Sequence, residues 1–108
     1  MDGDTDWPTI VSLYDRLFVQ DPSPVVALNR AVAIGQRDGP SAGLDAMREI
    51  EHADRLKRYP FYPAAMGELE SRLGRVDEAR AHFEEAIAQA RNASEREFFE
   101  RRRGRIVP

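Results

Sequence analysis

Apolar residues recur along this chain with a helical period, and nowhere convincingly with the period of two that marks a strand. In the first segment Trp7, Ile10, Leu13, Tyr14, Leu17 and Phe18 fall on one stripe. Asp6 is placed to cap it and Pro8 suits its first turn. Asp21-Pro22-Ser23-Pro24 must end it, because proline disfavours helical geometry in the residue before it. A helix is therefore expected over 7–20. The next begins at Ser23 or Pro24, carries Val25, Leu28, Val32 and Gly35 with Ala31 beside them, and ends near Arg37-Asp38-Gly39-Pro40. There Gly39 can supply a left-handed turn and Pro40 the first position of a third helix, whose Gly43, Leu44, Met47 and Ile50 face one way.

The stretch from His52 to Tyr59 is charged and reads as a short helix or irregular link anchored by Leu56 and Tyr59. Pro60 and Pro63 bracket a fourth helix start, with Tyr62, Ala65, Met66, Leu69 and Leu73 at amphipathic spacing and Gly74 as its stop. Val76, Ala79, Phe83, Ala86, Ile87 and Ala90 carry a fifth helix, closed by Asn92. Ser94 with Glu97 reads as a capping box for a last helix over 94–103 that holds Phe98 and Phe99. The expected fold is all-α, with about six helices and no sheet.

Two segments share one design. Val25–Glu51 and Tyr62–Arg91 are each helix, glycine-containing turn, helix, and Gly39 and Gly74 stand 35 positions apart. That is close to the ~34-residue period of tetratricopeptide repeats. In the second hairpin, over 61–91, Gly67, Gly74, Ala79, Phe83 and Ala86 carry the small-and-aromatic spacing of that repeat. Small residues at 67 and 79 would let two helices approach, with Phe83 filling the space beside them. The first hairpin, over 24–51, is degenerate. Gly43, Met47 and Ile50 repeat the spacing of Ala79, Phe83 and Ala86, and its turn reads about two residues longer. Residues 7–20 would be the second helix of a preceding repeat or a cap. The expectation is one tetratricopeptide-like domain of stacked antiparallel hairpins over 1–108, against the alternative of an irregular helical bundle. The abrupt start at Asp6-Trp7-Pro8 suggests the C-terminal fragment of a longer protein.

Composition narrows the chemistry. The absence of cysteine removes disulfide scaffolds, thiolate zinc sites and cysteine nucleophiles. A net charge of −3 argues against direct DNA binding, which needs a basic footprint. No stretch approaches the ~20 apolar residues of a membrane span. Met1-Asp2-Gly3-Asp4 is acidic, without the apolar core of a signal peptide, so a cytoplasmic location is expected. His52 and His82 read as surface histidines, since neither has a partner at metal-ligand spacing. Carboxylates such as Glu68, Glu70, Glu84 and Glu85 read as solvated faces, with Arg80 a salt-bridge partner for Glu84. No serine has a nucleophile-elbow context, and Gly39–Gly43 lacks the lysine of a phosphate loop. No enzyme and no cofactor is expected.

What remains is recognition. Asn29 and Arg30 are polar residues in an otherwise apolar helix. Asn29 either hydrogen-bonds inside the fold, fixing how hairpins stack, or lines a groove and holds a partner peptide. Asp38, Tyr62 and Arg72 join them as candidates for partner binding or stacking. The basic run Arg101, Arg102, Arg103 is a candidate anion-binding site, or simply the solvated end of a helix, where cations are favoured.

Several motifs together resemble one family. They are Asp6-Trp7-Pro8-x-Ile10-x-x-Leu13-Tyr14, the block Pro22-Ser23-Pro24-Val25-Val26-Ala27-Leu28-Asn29-Arg30-Ala31-Val32-Ala33, and Asp38-Gly39-Pro40-x-x-Gly43-Leu44. Arg72-Leu73-Gly74-Arg75-x-x-Glu78-Ala79 and Asn92-x-x-Glu95-Arg96-x-Phe98 complete the set. Over roughly Thr5 to Arg103 the chain resembles the tetratricopeptide-like C-terminal extension of bacterial extracytoplasmic-function RNA polymerase sigma factors, of the sigma-70 family. The resemblance implies a regulatory domain that contacts sigma regions of its parent chain, RNA polymerase or a signalling protein. It differs around Tyr62-Pro63-Ala64-Ala65-Met66-Gly67, where the family usually carries more basic or histidine residues, so any contact made there is altered. The alternative is a general tetratricopeptide scaffold for peptides, unconnected with transcription. A third class, an enzyme or small-molecule sensor, would require a deep pocket with converging polar groups.

Overall fold

Proline, glycine and short polar caps divide the chain into six α-helices in the computed structural model, which describes residues 5–106. They are α1 (Trp7–Gln20), α2 (Pro24–Asp38), α3 (Pro40–Arg48), α4 (Phe61–Arg72), α5 (Val76–Gln89) and α6 (Ala93–Gly104), with a 3₁₀ turn at Ala53–Leu56 between α3 and α4. No strand occurs among the described residues. The acidic segment Met1-Asp2-Gly3-Asp4 lies outside them.

Most helix ends follow from local chemistry. The carboxylate of Asp6 accepts from the Thr9 amide at 3.1 Å and starts α1. Ser23 Oγ accepts from the Val26 amide at 3.1 Å and starts α2. At the end of α4 the Arg75 amide donates to the Glu70 carbonyl and the Gly74 amide to the Ser71 carbonyl, at 2.9 and 3.0 Å. This is a Schellman closure, with Gly74 at φ +78°. The last helix departs from expectation. Asn92 does not close α5, which stops at Gln89; it caps α6, its side chain accepting from the Glu95 amide at 2.8 Å. Glu95, and not Glu97, reaches back, accepting from the Arg91 amide at 2.9 Å. The capping motif therefore begins two residues earlier than Ser94.

The helices form two compact units, one ending at Ala53 and the other beginning at Asp54. In the first, α2 packs against both α1 and α3. Its core holds Val11, Ala33 and Ile34, with Trp7, Ile10, Tyr14, Ala42 and Ala46 packed around them. Leu44 and Met47 of α3 are buried as expected, but Ile50 lies beyond the helix end and is half-buried. The stripe of α1 is also rotated from expectation. Val11 is 2% exposed, whereas Leu13 and Leu17 are 51% and 43% exposed. The α2–α3 turn is shorter than expected: Gly39 alone, at φ +103°, joins α2 to α3, against three residues between α4 and α5.

In the second unit α4, α5 and α6 follow one another with consecutive packing. Ala64, Ala79, Phe83, Ala86, Phe99 and Ile106 form the core. Phe61 meets Phe99 edge-on, ring centroids 5.3 Å apart. The close approach expected at Gly67 is found. A Cβ there would lie 2.8 Å from the Phe83 ring and 3.1 Å from the Ala79 carbonyl oxygen. The α4 face that meets α5 is thus the small one, including Ala64 and Gly67. The stripe of Tyr62, Met66, Leu69 and Leu73 lies on another side of the helix, so α4 is apolar on two faces.

Candidate protein-interaction site

Asn29 and Arg30 are neighbours in sequence, and the 100° helical step sends them to different sides of α2. Arg30 turns toward α1 and pairs with Asp15, its Nε donating to Oδ1. Asn29 is exposed. The burial considered for Asn29 is therefore not found.

That exposed side of α2 is apolar around Asn29. Val25 and Val32, one turn before and roughly one turn after it, are 36% and 38% exposed. Because α1 and α2 are antiparallel neighbours, the Asp15–Arg30 pair fixes which flanks adjoin. On the flank of α1 away from Asp15 stand Leu13 and Leu17, and on the matching flank of α2 stand Val25 and Asn29. The first unit thus exposes Leu13 and Leu17 on α1, and Val25 and Val32 on α2 beside Asn29, the four apolar side chains at 36–51%. These exposed apolar side chains and the Asn29 amide make this face of the first unit the candidate site. One sequence signal was available: α1 carries eight apolar residues (Trp7, Ile10, Val11, Leu13, Tyr14, Leu17, Phe18 and Val19) among 14, more than one helix contact can bury.

Asp38 is engaged by Arg37, whose Nε and Nη2 donate to its two oxygens at 3.0 and 2.8 Å. That bidentate pairing holds the Asp38 carboxyl below its ordinary value. Tyr62 is half-buried and Arg72 exposed in the second unit. In the basic run, Arg102 pairs with Glu68 and lies over the Phe98 ring, and Arg103 lies 4.0 Å from Glu84. Arg101 is exposed. Two of the three arginines are thus paired within the fold. Arg80, expected to pair with Glu84, instead donates to the Ile106 carbonyl at 3.0 Å.

The second unit holds one arrangement that the sequence concealed. Glu70 is only 4% exposed, the one charged side chain among the buried residues described. Its Oε1 lies 2.5 Å from Nδ1 of His82 on α5. Glu70 is therefore no solvated carboxylate, and His82 is half-buried in an α4–α5 hydrogen bond. No group of three or more potential metal ligands occurs among the described residues. No helix among them is long and apolar enough to cross a membrane.

No protein-family model matches the chain, and no solved structure matches it. It is 48% identical over 91 residues, 84% of its length, to an uncharacterized protein of Rhizobium meliloti (strain 1021). The chain spans about a fifth of that relative's length, the match covering 21% of it.

Proposed function

We propose that this chain is a regulatory protein-interaction domain, the C-terminal tetratricopeptide-like part of a bacterial extracytoplasmic-function sigma factor. In this reading it modulates transcription initiation by binding sigma regions of its own parent chain, RNA polymerase or a signalling protein. The observation that supports the interaction role is the exposure of Leu13 and Leu17 on α1 and of Val25 and Val32 on α2, the helix that carries the exposed Asn29. An extended peptide laid across this face would bury its apolar side chains on the leucines and valines, while the Asn29 amide, both donor and acceptor, bonds the peptide backbone. The transcriptional role rests on the motif resemblance. A relative about five times the length of the matched segment leaves room for the polymerase-binding and promoter-reading parts that such a factor needs.

The test is transcription from a target promoter with Asn29→Ala and Val32→Ser introduced into the full-length protein. Both sites are exposed, so circular dichroism should show an intact fold while promoter output changes severalfold in either direction. Unaltered output from a folded variant would refute the role of the Asn29 face. The coding sequence upstream of Met1 tests the assignment separately: without sigma regions there, the general peptide-binding scaffold becomes the better reading.

A further inference from the structure

On the flank of the α1–α2 pair that carries Asp15 and Arg30 the first unit has a concavity of about 380 Å³. Its apolar surface comes from all three helices and the residues just after them: Phe18 of α1, Ala27 of α2, Ala46 of α3 and Ile50. Its charges are unequal. The one cation, Arg30, is already paired with Asp15 across the groove. Two further carboxylates, Glu49 and Glu51, stand exposed where the chain leaves α3, and neither forms an ion pair in the described structure. The imbalance extends to the whole unit. Residues 5–53 hold seven carboxylates against four arginines, a net of −3, whereas residues 54–106 hold twelve lysines and arginines against ten carboxylates, a net of +2.

We infer that this groove is a docking site, separate from the Asn29 patch, for a basic amphipathic peptide segment of a partner protein. An apolar residue of the segment sits between Phe18 and Ile50, and its lysines or arginines meet Glu49 and Glu51. The apolar slot selects for an anchor side chain, and the uncompensated carboxylates select for positive charge around it. The groove is open to solvent, so a small cation in it would remain largely hydrated. A peptide that continues along the groove buries the area that affinity needs.

The probe is a short fluorescent peptide with leucines and lysines at helical spacing, titrated into the chain by anisotropy. Saturable binding is expected, weakening as salt rises. Exchanging its lysines for glutamates should abolish binding, and exchanging its leucines for serines should weaken it. The double variant Glu49→Gln, Glu51→Gln, altered only at exposed positions, should bind roughly three- to tenfold more weakly, as two rim charges of modest strength imply. Backbone NMR shifts should move at Phe18, Ala27 and Ala46. Absence of binding, equal binding of the acidic peptide, unchanged affinity of the double variant, or shifts confined to Leu13, Asn29 and Val32 would each overturn the proposal. The last result would leave the Asn29 patch standing; loss of promoter response in Asn29→Ala with the groove still binding would separate them the other way.

Discussion

The two hairpins share a spacing and differ in what they make of it. In α4–α5 the helices have 12 and 14 residues, and Ala79, Phe83 and Ala86 all lie within the second helix, each no more than 1% exposed. In α2–α3 the second helix has nine residues, so Gly43 and Met47 are buried but Ile50 falls outside it. Charge placement runs in the same direction as the difference. Asp77 and Glu78 occupy the first turn of α5, where the helix dipole favours anions. Glu49 and Glu51 stand at the end of α3, where it opposes them, and no glycine follows to close the helix. Identical apolar spacing thus gives a full helical pair in one hairpin and a shortened one with an open groove in the other.

The largest expected effect lies in the well-formed hairpin. Phe83→Ala should destabilise the second unit by roughly 3–5 kcal/mol, a large share of a small domain's stability. Gly67→Ala should cost about 1–3 kcal/mol because the new methyl must displace a buried ring. Denaturant titration measures both. If Met47→Ala costs more than Phe83→Ala, the ranking of the hairpins is wrong.

Next comes the polar bond across α4 and α5. His82→Ala leaves the Glu70 carboxylate buried without its partner and should cost about 1–3 kcal/mol. Replacing both together, Glu70→Met with His82→Leu, should recover most of that loss, since an apolar pair needs no hydrogen bond. Thermal melts of the single and double variants decide it; a double variant as weak as the single would show that the bond itself is needed for the hairpin.

The smallest effect is acid sensitivity. Hydrogen bonds from the Arg91 side chain and then its amide hold the Glu95 carboxyl below its ordinary 4.5, and Arg37 holds Asp38 below 3.8. Thr9, through its hydroxyl and then its amide, does the same for Asp6. A lowered folded value means the unfolded chain takes up the proton first. These groups therefore add stability at neutral pH that is lost as pH falls below about 4.5 and through their folded values. Glu95→Gln should flatten the earliest part of that decline in melting temperature, and an unchanged decline would exclude Glu95 as a source.

The order and limits of the helices were largely legible because their signals are local: Asp6, Ser23, Gly39 and Gly74 act on backbone within a few residues. The close approach at Gly67 was legible for a related reason, since a small residue opposite a phenylalanine at repeat spacing has few other uses. What escaped the sequence depends on neighbours. With apolar residues around most of α1, periodicity could not show whether Val11 or Leu13 faces α2. Glu70 looks like its exposed neighbours until α5 brings His82 against it. Asn29 and Arg30 looked like one site until the helical step, anchored by Asp15, assigned one to the outer patch and the other to the groove. The cap of α6 failed more narrowly, because Asn92 and Ser94 both have a glutamate three positions later.

Gly67 also constrains the order in which this domain can change. Every amino-acid replacement at that codon introduces the atom that the Phe83 ring excludes, so the position has no mild exit while phenylalanine is present. The passable route is to shrink the ring first, with Phe83→Leu, and let the glycine drift afterwards. Gly67→Ala should then cost less in the Phe83→Leu background than alone, the approach to the Ala79 carbonyl remaining, an epistasis between residues sixteen positions apart.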